Sequence, residues 1–210
     1  PLREMVPAPP SPKADVQPWF AFPKAEKSDF YAPQEVGTAA SAAQGANLLA
    51  GLSTTSVPGP IITFDGVHNV NGVLPPDTVG DVGPNHYVQM VNLSFAIFDK
   101  QGNTLYGPAN TNTVWSGFGG VCQTLNDGDP IVLYDQLADR WMISQFGLDF
   151  PDNFHECIAI SQTPDPTGAW YRYDFKISDT KMNDYPHFGI WPDAYYMAVN
   201  QFYQGTTWSG

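Results

Sequence analysis

Four aspartates recur at comparable places along this 210-residue chain: Asp77 in PPDT, Asp127 and Asp129 in NDGDP, and Asp184 in NDYP. Each stands at the entrance to a short strand-like run. Carboxylates repeated in this way admit three kinds of chemistry. They can cap tight turns by accepting backbone N–H bonds. They can form a ring of oxygen ligands for a hard cation such as Ca2+. Or two of them, Asp129 and Asp184 being the candidates, can act as acid and base of a glycosidase, which needs a separation of about 5 to 9 Å and one raised pKa. His187 follows Asp184-Tyr185-Pro186 and joins that list. His68, His86 and His155 lack paired metal-ligand spacing and read as structural. Tyr185, Tyr195 and Tyr196 are candidates to stack on sugar rings; the alternative is that large rings fill the space between sheets. No GxSxG elbow, phosphate-cradling loop or CxxC pair is present.

The element that must position these groups is DPIVLYDQLADRWMISQF, Asp129 to Phe146. A short apolar run, a polar turn with Asp139, and a second run from Trp141 predict a β-hairpin. Trp141 has two counterparts, Tyr87 and Tyr195, each 54 residues away (141 − 87 and 195 − 141). Both counterparts follow a proline turn, and both of their strands end on asparagine, at Asn92 and Asn200. The first repeat reads as strands at Val79–Val82, Tyr87–Asn92, Phe95–Phe98 and Thr104–Tyr106. The second reads as Ile131–Tyr134, Trp141–Phe146, Cys157–Ser161 and Trp170–Phe175. A third opens at His187–Ile190 and continues at Tyr195–Phe202. A further strand is expected over Ile62–Val67, and WSGFGGV (Trp115 to Val121) reads as a mobile connection. Serial four-stranded antiparallel repeats of about 40 to 55 residues predict an all-β fold of the β-propeller type. The expected blades are 61–108, 109–176 and an incomplete 177–210, about two and a half in all, so the chain is expected to be a portion of a longer one.

Residues 1–60 are of another kind. Ten of the twenty prolines lie there, which predicts an extended arm and linker rather than a folded layer. Its aromatic clusters, PWFAFP and DFYAP, suit an arm strapped along a groove of its own domain or of a neighbouring subunit. Thr38 to Ser53 reads as a short helix or a small-residue spacer. The net charge of −12 excludes nucleic acid and anionic membrane surfaces as partners. No apolar run is long enough to span a bilayer. Cys122 and Cys157 flank the hairpin, and in an acidic, lysine-poor, aromatic-rich chain of extracellular type they are expected to form a disulfide.

The strings PPDTVGDVGPNHYVQMVN, NDGDPIVLYDQLADRWMISQF, ECIAISQTPDPTGAWYRYDF and NDYPHFGIWPDAYYMAVNQF together resemble a group of uncharacterised secreted bacterial proteins with predicted β-propeller folds. The resemblance covers about Ile61 to Gln204. It implies a secreted or cell-surface location, often beside adhesive or sorting modules, and no catalytic set. The sialidase Asp-box and the WD40 signature are absent. The expectation is a binding or assembly module for carbohydrate or a surface protein, without a required cofactor unless Ca2+ occupies the aspartates. The competing expectation is an extracellular polysaccharide hydrolase.

Overall fold

The computed structural model describes residues 1–10 and 58–210. The chain divides into two compact units, Pro1–Trp19 with Phe64–Gly210, and Phe20–Thr63. The first of these is all-β. The expected helix over Thr38 to Ser53 and both aromatic clusters of the arm lie outside the described residues.

Three antiparallel meanders follow one another. The first is β1 (Val79–Val82), β2 (His86–Val91), β3 (Ser94–Asp99) and β4 (Thr104–Asn110). The second is β5 (Gly128–Asp135), β6 (Arg140–Asp149), β7 (Asn153–Ser161) and β8 (Trp170–Ser178). The third has β9 (Lys181–Trp191), β10 (Ala194–Tyr203) and the two-residue β11 (Thr207–Trp208). The second strands begin at His86, Arg140 and Ala194, so the 54-residue step of the sequence is the step of the structure (140 − 86 and 194 − 140). The first strands are neighbours in order, β1 beside β5 and β5 beside β9.

Strands such as β2, β3 and β6 read as continuous apolar runs because both of their faces are covered. One face of the first sheet (Val88, Met90, Phe95, Ile97) packs on one face of the second (Val132, Trp141, Ile143, Cys157, Ala159) to form the main core. The other face of the first sheet, with Val91, Ala96 and Phe98, is closed by Val67 and Val70. Here the sequence reading needs correction, because Ile62–Val67 is not a strand. The Gln89 side-chain amide takes over the backbone bonds of Val67 instead, accepting from its N–H at 2.7 Å and donating to its carbonyl at 3.2 Å. A covering segment satisfied by a side chain has no need of a ladder partner.

WSGFGGV is likewise no simple connection. A 3-10 helix, Thr111–Trp115, and a short α-helix, Gly120–Thr124, carry Trp115 and Cys122 into the core at 0% exposure. Cys122 is bonded to Cys157 of β7, which ties that connection to the second sheet. The bridge spans 35 residues, which in the chain-entropy account is worth roughly 4 kcal/mol. Replacing both cysteines by serine is expected to lower the stability in urea by about that amount, and reduction of the native chain should reproduce the loss. Equal unfolding midpoints would refute the assignment of a stabilising role.

The start of the arm docks on its own domain. Leu2, 2% exposed, belongs to the main core, and the backbone N–H groups of Leu2 and Arg3 donate to the carbonyls of Gly168 and Thr167 at 3.0 and 2.9 Å. Arg3 also pairs with Asp165 at 3.1 Å, and the Asn110 N–H donates to the Ala8 carbonyl at 3.2 Å.

Candidate functional site

The first strand of each sheet carries a β-bulge at the same level. In the second sheet Ile131 pairs with Ser144 and Gly128 with Phe146, so Asp129 and Pro130 face the single residue Gln145. In the third, His187 pairs with Ala198 and Asp184 with Asn200, so Tyr185 and Pro186 face Val199. In the first, Val79 pairs with Met90 and the Asn92 N–H donates to the Pro76 carbonyl, so Asp77 and Thr78 face Val91. The leading bulge residues Asp77, Asp129 and Tyr185 all have left-handed backbones, with φ of 39°, 44° and 53°. Aspartate tolerates this conformation better than most residues, whereas a tyrosine there is uncommon and is held by its surroundings.

Asp77 and Asp129 therefore occupy equivalent positions, and Asp184 stands one residue earlier, where the other repeats have Pro76 and Gly128. Its carboxyl nevertheless converges with theirs. Asn92 is the link between repeats: its Nδ2 donates to Asp77 Oδ2 at 2.6 Å and to the Pro75 carbonyl at 2.8 Å. Its Oδ1 accepts the Asp129 N–H at 2.8 Å. Asp129 Oδ2 in turn accepts the Tyr185 N–H of the third sheet at 2.9 Å. Gly128 makes this approach possible, since a Cβ there would lie 2.7 Å from Asn92 Oδ1 and its φ of 122° suits glycine alone.

Burial, opposed by the Tyr185 N–H bond and reinforced by the charges of Asp184 and Asp77 and a hydrogen bond with the Asp77 side chain, lifts the Asp129 carboxyl to about 7. Asp184 is also raised, mainly by burial; Asn200 opposes this and the charge of Asp77 adds to it. Behind them Glu156 of β7 is fully enclosed. Burial pushes it to about 8 against the Ser144 hydroxyl and the Asn183 amide, and Asp129 adds repulsion. Asn183 Nδ2 donates to Glu156 Oε2 at 2.8 Å. Near neutral pH this cluster holds protons, so it offers both hydrogen-bond donors and acceptors.

The other candidates are placed as follows. Asp127 Oδ2 accepts the Leu148 N–H at 2.8 Å, a backbone-capping role. The calcium reading of Asp77, Asp127, Asp129 and Asp184 gains no support, since among the described residues no three His, Cys, Asp or Glu side chains are grouped to hold a metal ion. Tyr195 is a clasp between sheets, its hydroxyl donating to Asp135 Oδ2 at 2.6 Å. Tyr196 is exposed and donates to Asp193 at 2.9 Å. Tyr185, 58% exposed, meets His187 edge to face with centroids 4.4 Å apart at the rim of the carboxyl cluster. His155 bonds Asp174 through one ring nitrogen and Asn153 through the other, so both of its nitrogens are engaged.

Asn92 and Glu156 were not legible as site residues. Asn92-Leu93-Ser94 resembles a glycosylation acceptor, yet Asn92 is buried and its amide is used internally. The signal that was available is the shared asparagine at Asn92 and Asn200, each supporting a carboxyl of its own repeat.

No family model, curated protein or solved structure matches this chain.

Proposed function

We propose that this chain is a β-propeller-type binding module of the extracellular or cell-surface space, and that it recognises carbohydrate at the carboxyl cluster. The observation that carries this reading is the convergence of Asp77, Asp129 and Asp184 from three repeats beside the exposed ring of Tyr185. Polyhydroxylated ligands are held by carboxyl groups that donate and accept, with an aromatic ring against the apolar face of the sugar. The propeller assignment is supported by the repeated step and by first strands that neighbour one another in chain order. The disulfide suits an oxidising compartment.

Hydrolysis is the weaker reading for the equivalent pair Asp77 and Asp129. Carboxyls joined by a direct hydrogen bond stand closer than the roughly 5 Å that a glycosidase pair requires. The test is retention on a panel of insoluble polysaccharides, with reducing ends measured in the same tubes. Retention of the native chain, lost in Tyr185→Ala with no sugar released by either, is the expected result. Release of reducing ends that Asp129→Asn abolishes would put the hydrolase in its place, and no retention on any polysaccharide would refute the carbohydrate reading.

A further inference from the structure

We infer that the third sheet is a docking surface for a second copy of this chain, through the face formed by Trp191, Gly189 and His187 of β9 and Ala194, Tyr196 and Ala198 of β10. These six residues share one side of the sheet, because Ala194 pairs with Trp191, Tyr196 with Gly189 and Ala198 with His187. All six are exposed, Trp191 at 69% and Tyr196 at 55%.

Continuity with the interfaces already present is the first argument. The corresponding residues of the earlier sheets are Val88 and Met90 in β2 and Met142 and Ser144 in β6, all at 0% exposure. In the first sheet that face is closed by the second, through Val132, Trp141 and Ile143. In the second sheet it carries Glu156, bonded to Asn183 of β9. The third sheet presents the same kind of face with no further sheet upon it.

Relief is the second argument. Each cross-strand pair joins one large and one small residue, and the large one alternates between strands: Trp191 on β9, Tyr196 on β10, His187 on β9. The result is a checkerboard of rings and hollows. A Cβ added at Gly189 would meet nothing within 4 Å, so the central hollow is open. Such a surface interlocks with a copy of itself turned by a two-fold axis, where each ring enters a hollow of its partner. Charge is the third argument. Although the chain carries −12, the segment Tyr185 to Tyr203 holds a single charged residue, Asp193, in the turn between the two strands. Repulsion between copies is thus diffuse rather than local, and salt screens it.

The test is sedimentation of the whole chain from micromolar to hundred-micromolar concentration at low and high salt. A monomer–dimer equilibrium strengthened by salt is expected, weakened about tenfold or more by Trp191→Lys or Tyr196→Lys, since exposed aromatic anchors dominate such interfaces. Gly189→Leu fills the central hollow without meeting any neighbour, and it should also abolish the dimer while leaving circular dichroism and melting unchanged. A chain that stays monomeric throughout overturns the inference. So does a dimer that survives all three substitutions, which would mean that another surface pairs.

Discussion

Glu156→Gln is expected to make the chain more stable at about pH 8.5 and to leave it nearly unchanged at about pH 5, where carboxyls as strongly raised as this one are protonated. In the unfolded chain Glu156 and Asp129 ionise near 4; in the fold they are raised to about 8 and about 7. A carboxyl with a raised pKa contributes fully below its unfolded value, and its contribution is lost as the pH rises through the folded one. The native chain should therefore lose stability between about pH 4 and pH 8, by on the order of a few kcal/mol from Glu156 alone. Glutamine keeps an acceptor for the Asn183 amide and cannot ionise, so the variant's stability profile should be flatter. Asp99, Asp135 and Asp165 act in the opposite sense. Their pKa values are lowered, chiefly by a side-chain bond from Asn103 in Asp99, by the Tyr195 hydroxyl in Asp135, and by Thr167 in Asp165, the last two against burial. Their contribution is present above about pH 4 and lost below it, which leaves the optimum in mildly acidic solution. Thermal melts across pH for both proteins decide the matter. Parallel profiles would show that Glu156 is not the group responsible and that general repulsion among the acidic residues is.

Trp141→Ala should be the most damaging single substitution, at about 3 to 5 kcal/mol. Trp141 is 1% exposed, stacks at a tilt on Tyr134 with centroids 5.0 Å apart, and donates its indole N–H to the Pro164 carbonyl at 3.1 Å. Its ring also reaches the turn of the preceding repeat, where a Cβ at Gly83 would lie 2.9 Å from Cζ2. The same position in the third repeat is Tyr195, partly exposed and held by one bond to Asp135. Tyr195→Ala should cost only about 1 kcal/mol. Urea unfolding of the two variants compares them directly. Losses of equal size would mean that the second repeat is not the keystone of the core.

The repeat was legible because Tyr87, Trp141 and Tyr195 keep one register, and because strands covered on both faces announce themselves as apolar runs. The turn at Asp139 was legible too, with φ of 55° there and Asp135 accepting the Leu137 and Ala138 N–H groups. Convergence of the aspartates could be suspected from their recurrence, but not the one-residue offset of Asp184, which depends on where each bulge falls. Ile62–Val67 looked like a strand because its apolar residues do cover a sheet. Only the Gln89 side chain, 22 residues on, shows that its backbone is satisfied another way. Glu156 sits in an alternating stretch that could face water, and its enclosure requires Asn183 of the next sheet.

The docked N-terminal segment gives the molecule a fixed end and a loose end. By gripping Thr167 and Gly168 in the second repeat and, through Ala8, Asn110 in the first, it splices two meanders that would otherwise be joined only through their core and one connecting segment. The third meander has no such splice. Spontaneous opening should therefore be vectorial, starting at β10 and β11 and halting at the second sheet, because a terminal repeat has a neighbour on one side only. The loosest part of the fold is also the part that presents its open aromatic face. Whatever settles there would order the terminal repeat as well as bind it, so that affinity at that surface and rigidity of the chain would rise together.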